Sequence, residues 1–172
     1  MFMTRNTRAP RASGFSLIEV LIAMFVLAIG ILGAGAMQTV GLQGSMAANT
    51  RSQAVFIAGD VVDRMRNNRT VLSSYVGSYS GATSAAASSC ISDSAGCSAA
   101  NLVRSDVYDI VGYLQPIASG GLLPGATVTV SQSGKVYNVL VSWAEREWQA
   151  GTHVQDSATA KSYSVSVNLA DT

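Results

Sequence analysis

Few residues in this 172-residue chain have the type and spacing to do chemistry. Glu145 and Glu147 stand two apart, so a continuing strand would carry both carboxylates on one face, the least that acid–base work needs. His153, the single histidine, has no nucleophile placed to partner it, and no phosphate-binding glycine loop or metal-ligand cluster occurs. Cys90 and Cys97, with six residues between them, could form a disulfide or help hold a metal. One histidine beside two cysteines is a thin ligand set. Arg64, Arg66 and Arg69 fall within six positions and could meet phosphate, but no aromatic residues interleave them as stacking on nucleic acid would require. Glu19 is the most unusual of these groups, a lone carboxylate near the start of a long apolar run. The expectation is a protein without enzyme activity, with no catalytic residue, no metal and no cofactor.

The elements that carry these residues say more than the residues do. The chain is 48% hydrophobic and only 12% charged, where soluble domains run near ~25% charged. Its length suits about one domain. The composition excludes a charge-rich disordered protein, two cysteines exclude a disulfide-dense mini-domain, and a net charge of +1 argues against a strongly basic nucleic-acid binder. From Val20 to Thr50 no residue is charged, and Val20 to Met37 reads VLIAMFVLAIGILGAGAM, apolar or glycine throughout. As a helix this stretch spans roughly 27 Å, close to the hydrocarbon thickness of a bilayer. Arg5, Arg8 and Arg11 precede it and should stay cytoplasmic, which sends the bulk of the chain across the membrane. A secretory signal peptide is the simplest reading, and Ala34-Gly35-Ala36 offers a small-residue cleavage site. Glu19 weighs against it, because a carboxylate deep in a membrane costs on the order of 2.5–3.5 kcal/mol, though less near the interface.

The run Gly14-Phe15-Ser16-Leu17-Ile18-Glu19-Val20-Leu21-Ile22-Ala23 resembles the processing signal of type IV prepilins and type II secretion pseudopilins. The resemblance implies that a prepilin peptidase/N-methyltransferase cuts the basic leader between Gly14 and Phe15, on the cytoplasmic side, and methylates Phe15. Glu19 then becomes the fifth residue of the mature chain, and the apolar anchor stays attached. The resemblance further implies that Glu19, buried in a filament interior, pairs with the amine of Phe15 on a neighbouring subunit. An unpaired carboxylate there would be strongly destabilising. Losing Arg5, Arg8 and Arg11 with the leader takes the net charge from +1 to −2.

Beyond Met37 the sequence turns polar but stays helical in pattern, with no proline between Pro10 and Pro116. Ala54, Ile57, Ala58, Val61, Val62 and Met65 recur at spacings of three and four and make one apolar stripe. Asp60 and Arg64 lie four apart on the other side, within reach of each other on a solvated face. The spacing predicts a helix from Phe15 to about Leu72, roughly 85 Å long, with Asn67-Asn68 and Ser73-Ser74 as its stop. Gly30, Gly33, Gly35, Gly41 and Gly44 lower its propensity and permit close packing in a membrane. The segment DRMRNNR, Asp63 to Arg69, is similar to the acidic-then-RMRxNR stretch of PilV-type minor pilins, the type IV pilus modification proteins.

Ser73 to Ala100 is dominated by serine, alanine and glycine and reads as a flexible surface loop. In an exported, oxidising compartment the Cys90–Cys97 pair at its end reads as a local disulfide rather than a metal site. Ser98 to Gln115 is predicted as a helix with Ser98 at its N-cap. Ala126 to Ser131 and Lys135 to Trp143 alternate about a Ser133-Gly134 turn as a β-hairpin, and Lys161 to Leu169 as a third antiparallel strand.

The expected fold is therefore α+β and type IV pilin-like: a long N-terminal hydrophobic helix packed on an antiparallel sheet. Its expected parts are a cytoplasmic leader (1–14), a membrane or filament helix segment (15–37), an amphipathic continuation (38–72) and a head domain (73–172). The resemblance implies a minor pilin that primes or joins a type IV pilus and supports adhesion and twitching motility. Its partners would be the prepilin peptidase, other minor pilins, the major pilin and, before assembly, the inner membrane. The head would sit in the periplasm and finally in the extracellular fibre, at or near its tip. Three rivals stand beside it: a minor pseudopilin of a type II secretion system, a DNA-uptake pilin using Arg64, Arg66 and Arg69, and a secreted binding protein released after Ala36.

Overall fold

The computed structural model describes residues 14–88, 90, 96–145 and 159–169. Arg5, Arg8 and Arg11, and likewise Glu147, Trp148 and His153, lie outside the described residues. The chain separates into two compact units, Met1–Gly44 and Ser45–Thr172. Helix α1 (Leu17–Asn67, 51 residues) contributes its apolar first part to one and its remainder to the other.

In the first unit, α1 begins where the Ser16 carbonyl accepts from the backbone N–H groups of Glu19 (3.0 Å) and Val20 (3.3 Å). Leu, Ile, Ala and Met then carry the helix past its glycines. Its most apolar 18-residue window has a mean hydropathy of 2.6, and none of that window is buried. Soluble monomers rarely expose a contiguous apolar surface above a few hundred Å². This length of helix requires lipid or protein around it.

In the second unit, all six residues of the apolar stripe are buried, with Ala54, Ile57, Ala58, Val61 and Met65 fully so. They share one core with Val128, Val130, Val139 and Val141 of the sheet, and with Ile110 and Leu114. Full burial of a side chain such as Ile57 or Val61 stabilises by about 1.5–3 kcal/mol relative to exposure. The arrangement is α+β, a long helix packed with an antiparallel sheet.

Helix α1 stops at Asn67, short of the expected Leu72, because Asn68 turns out of helical geometry (φ −128°, ψ 53°). Its buried side-chain amide donates instead to the Ala99 carbonyl (2.9 Å) and the Tyr75 hydroxyl (3.3 Å). A 3-10 helix, Arg69–Tyr75, follows. Strand β1 (Gly77–Ser80) then corrects the expectation of a continuous loop from Ser73. Tyr79 is the reason: its ring is buried, and its hydroxyl donates to the Tyr75 carbonyl at 2.7 Å.

Helix α2 (Ala99–Tyr113) starts at the expected cap, where Ser98 Oγ accepts from the Asn101 N–H at 3.3 Å, and ends slightly before Gln115. Strands β2 (Thr127–Ser133), β3 (Val136–Glu145) and β4 (Thr159–Asn168) come next. The four strands pair antiparallel in the order β1-β2-β3-β4. The β2–β3 turn depends on Gly134, whose φ of 60° suits glycine best.

Candidate processing and assembly site

Gly14, Phe15 and Ser16 precede α1 in non-helical backbone, and Phe15 is 83% exposed. The Gly14–Phe15 peptide bond therefore lies outside the helical hydrogen-bond ladder and is exposed. Glu19 sits in the first turn of α1, where the unpaired N–H groups and the helix dipole favour a negative charge by about 0.3–1 kcal/mol when exposed. Behind it, Ile18, Leu21, Ile22 and Phe25 are all exposed. One carboxylate at the head of an uncovered apolar helix has the makings of a directional assembly contact. It demands a cation wherever apolar neighbours remove the water.

The head distributes its charges differently from the sequence reading. Arg64, assigned above to a solvated face, is drawn inward. Its Nε lies 2.7 Å from Asp60 Oδ2, and its Nη1 lies 2.9 Å from both Asp106 Oδ1 and Asp109 Oδ2. Its Nη2 donates to the Tyr113 hydroxyl at 3.3 Å. Burial disfavours the Arg64 charge, but the hydrogen bonds to Asp60, Asp109 and Asp106 outweigh it and hold the guanidinium protonated well beyond its ordinary range. Asp106, itself buried, also accepts from the Tyr75 hydroxyl at 2.5 Å. Burial, then this contact, pushes the Tyr75 phenol up from its usual pKa. Asp106 and Asp109 were invisible in the sequence as partners, since they lie more than 40 positions away on another helix.

Glu145 is also structural. It is 7% exposed and accepts from Trp143 Nε1 (2.9 Å), Thr50 Oγ1 (3.3 Å) and Arg51 Nη2 (3.2 Å). Burial alone would raise its pKa, but the hydrogen bonds from Arg51, Trp143 and Thr50 bring it below the ordinary carboxylate value. Its suggested partner Glu147 lies outside the described residues. Arg66 pairs with Asp63 at 3.0 Å. Cys90 and Cys97 are joined as a disulfide with Cα atoms 4.9 Å apart, immediately before the N-cap of α2. Among the described residues no group of three or more His, Cys, Asp or Glu is placed to hold a metal ion.

An apolar N-terminal helix packed with a four-stranded antiparallel sheet defines a protein of the type IV pilin fold, a class of structural subunits. Two family models match the N-terminal part of the chain, up to residue 108. Residues 10–35 match the prokaryotic N-terminal methylation motif, and residues 36–108 match the family described as type IV pilin Tt1218. The matched segments are an N-terminal methylation motif followed by a type IV pilin domain, and they support a pilin role in a pilus or pseudopilus. No curated protein and no solved structure matches the chain significantly.

Proposed function

We propose that the chain is a PilV-type minor pilin of a type IV pilus, cut between Gly14 and Phe15 and methylated on Phe15. The observation that carries this reading is the juxtaposition of an accessible Gly14–Phe15 bond, Glu19 one turn further on, and an apolar helix with nothing covering it. Residues 1–14 act as a cytoplasmic leader, 15–37 as membrane anchor and then filament core, 38–72 as the continuation, and 73–172 as a periplasmic head. On assembly, Glu19 accepts the amine of Phe15 on the neighbouring subunit. DRMRNNR, from Asp63 to Arg69, supports the PilV-type assignment and with it a role in priming the pilus with other minor pilins near the tip. Adhesion and twitching motility follow from that role.

The second reading is a minor pseudopilin of a type II secretion system, which shares the processing motif and the fold. A deletion strain separates the two. Loss of surface pili with normal exoprotein secretion is the expected result; intact pili with failed secretion would transfer the subunit to the secretion apparatus. A DNA-uptake role through Arg64, Arg66 and Arg69 draws less support, because Arg64 is spent on three carboxylates. Salt-dependent DNA binding abolished by removing those three charges would restore it.

A further inference from the structure

A cleft of about 360 Å³ opens where the 3-10 helix Arg69–Tyr75 meets the β2–β3 turn. Its two cations come from different elements, Arg69 from the helix and Lys135 from the turn, and no described carboxylate lines it. Two cations facing one cleft favour an anion between them.

The described carboxylates of the head are engaged elsewhere. Asp60, Asp106 and Asp109 surround Arg64, Asp63 pairs with Arg66, and Glu145 pairs with Arg51. Glu147 and Asp156 lie two and three positions in sequence from the Glu145–Thr159 end of the β3–β4 ladder. The cleft is at the other end of that ladder, roughly 30 Å away, where Asn168 pairs with Val136, the residue after Lys135. Asp171 follows β4 at this end. Leu169 is buried in the same core as Leu72 and Tyr137, which both line the cleft. The chain therefore leaves its last described residue beside the cleft, and two further residues reach at most about 7 Å.

We propose that Asp171 of this same chain occupies the cleft, its carboxylate between Arg69 and Lys135, as a strap from the end of β4 to the 3-10 helix. Reach and charge complementarity both select this carboxylate over a phosphate from outside. Among the described residues β4 pairs only with β3. The strap gives this edge strand a second attachment, at the segment that follows α1. It also takes Arg69 away from any nucleic-acid backbone, as Asp60 and Asp63 take Arg64 and Arg66.

The test is zero-length carbodiimide coupling of the full chain in detergent micelles, read by peptide mass spectrometry of the monomer. An amide between Lys135 Nζ and the Asp171 carboxyl is expected, and Asp171→Asn should abolish it. Inorganic phosphate gives a second reading. It should leave the melting temperature of the parent unchanged and raise that of Asp171→Asn by at least ~1 °C, because the vacated cleft then takes the added anion. Absence of the Lys135–Asp171 product, coupling of Lys135 to Asp93 or to a second copy instead, or equal stabilisation of parent and variant by phosphate would each overturn the proposal.

Discussion

Arg64 on α1 and Asp106 on α2 meet at 2.9 Å, and through Tyr75 the same carboxylate is bound to the 3-10 helix between them. One buried aspartate thus joins three helical segments. Truncating Arg64 leaves Asp106 without its counter-charge in a site that water scarcely reaches.

Arg64→Met should therefore destabilise the head by about 3 kcal/mol, within the range for breaking a buried pair. Denaturant unfolding of the full chain in micelles measures it. A double variant with Asp106→Asn should recover part of the loss, since no lone charge then remains. An unchanged midpoint in the single variant would mean that the cluster is solvated after all.

The acid limb of stability should depend on Glu145. Its pKa is lowered by folding, so its contribution is complete above the unfolded value of about 4.3 and disappears as pH falls through the folded value. Glu145→Gln should be less stable than the parent at pH 7, and the gap should narrow below about pH 4. A gap that stays constant down to pH 2 would show that the charge of Glu145 does not contribute.

The disulfide closes a short loop in front of α2, with a sequence separation of 7. Chain-entropy reasoning gives it about 2–3 kcal/mol. Reduction should lower the denaturation midpoint, and Cys90→Ser/Cys97→Ser should match the reduced protein. Two free thiols by mass spectrometry on the exported protein would contradict the bridge.

Much of this fold was legible because it rests on period and punctuation. The 3.6-residue stripe from Ala54 to Met65 survived intact as core, since nothing but a buried helix face explains six apolar residues at that spacing. Ser98 and Gly134 marked a cap and a turn through local chemistry alone. Strand β1 was hidden because its glycine and serines have loop character, and only the burial of Tyr79 against a strand nearly 50 positions away makes it a strand. The roles of Arg64 and Glu145 were hidden for a similar reason. Sequence shows Asp60 four residues from Arg64, but Asp106, Asp109 and the Arg51–Glu145 contact exist only after the chain has folded back.

In the proposed assembly, Glu19 requires a cation only once packing removes water from it. Glu19→Leu should accordingly insert into the membrane as well as the parent yet fail to enter filaments, as quantified by immunoblotting sheared pili against membranes. Equal amounts of parent and variant in the sheared fraction would remove Glu19 from assembly.

In the proposed function the apolar helix stays on the mature subunit as its anchor and filament segment. Mass spectrometry of the N-terminal peptide from the membrane or pilus fraction tests it most directly. The expected mature chain begins at N-methylated Phe15, with Glu19 as its fifth residue. A chain beginning after Ala36, with the apolar helix discarded, would contradict it.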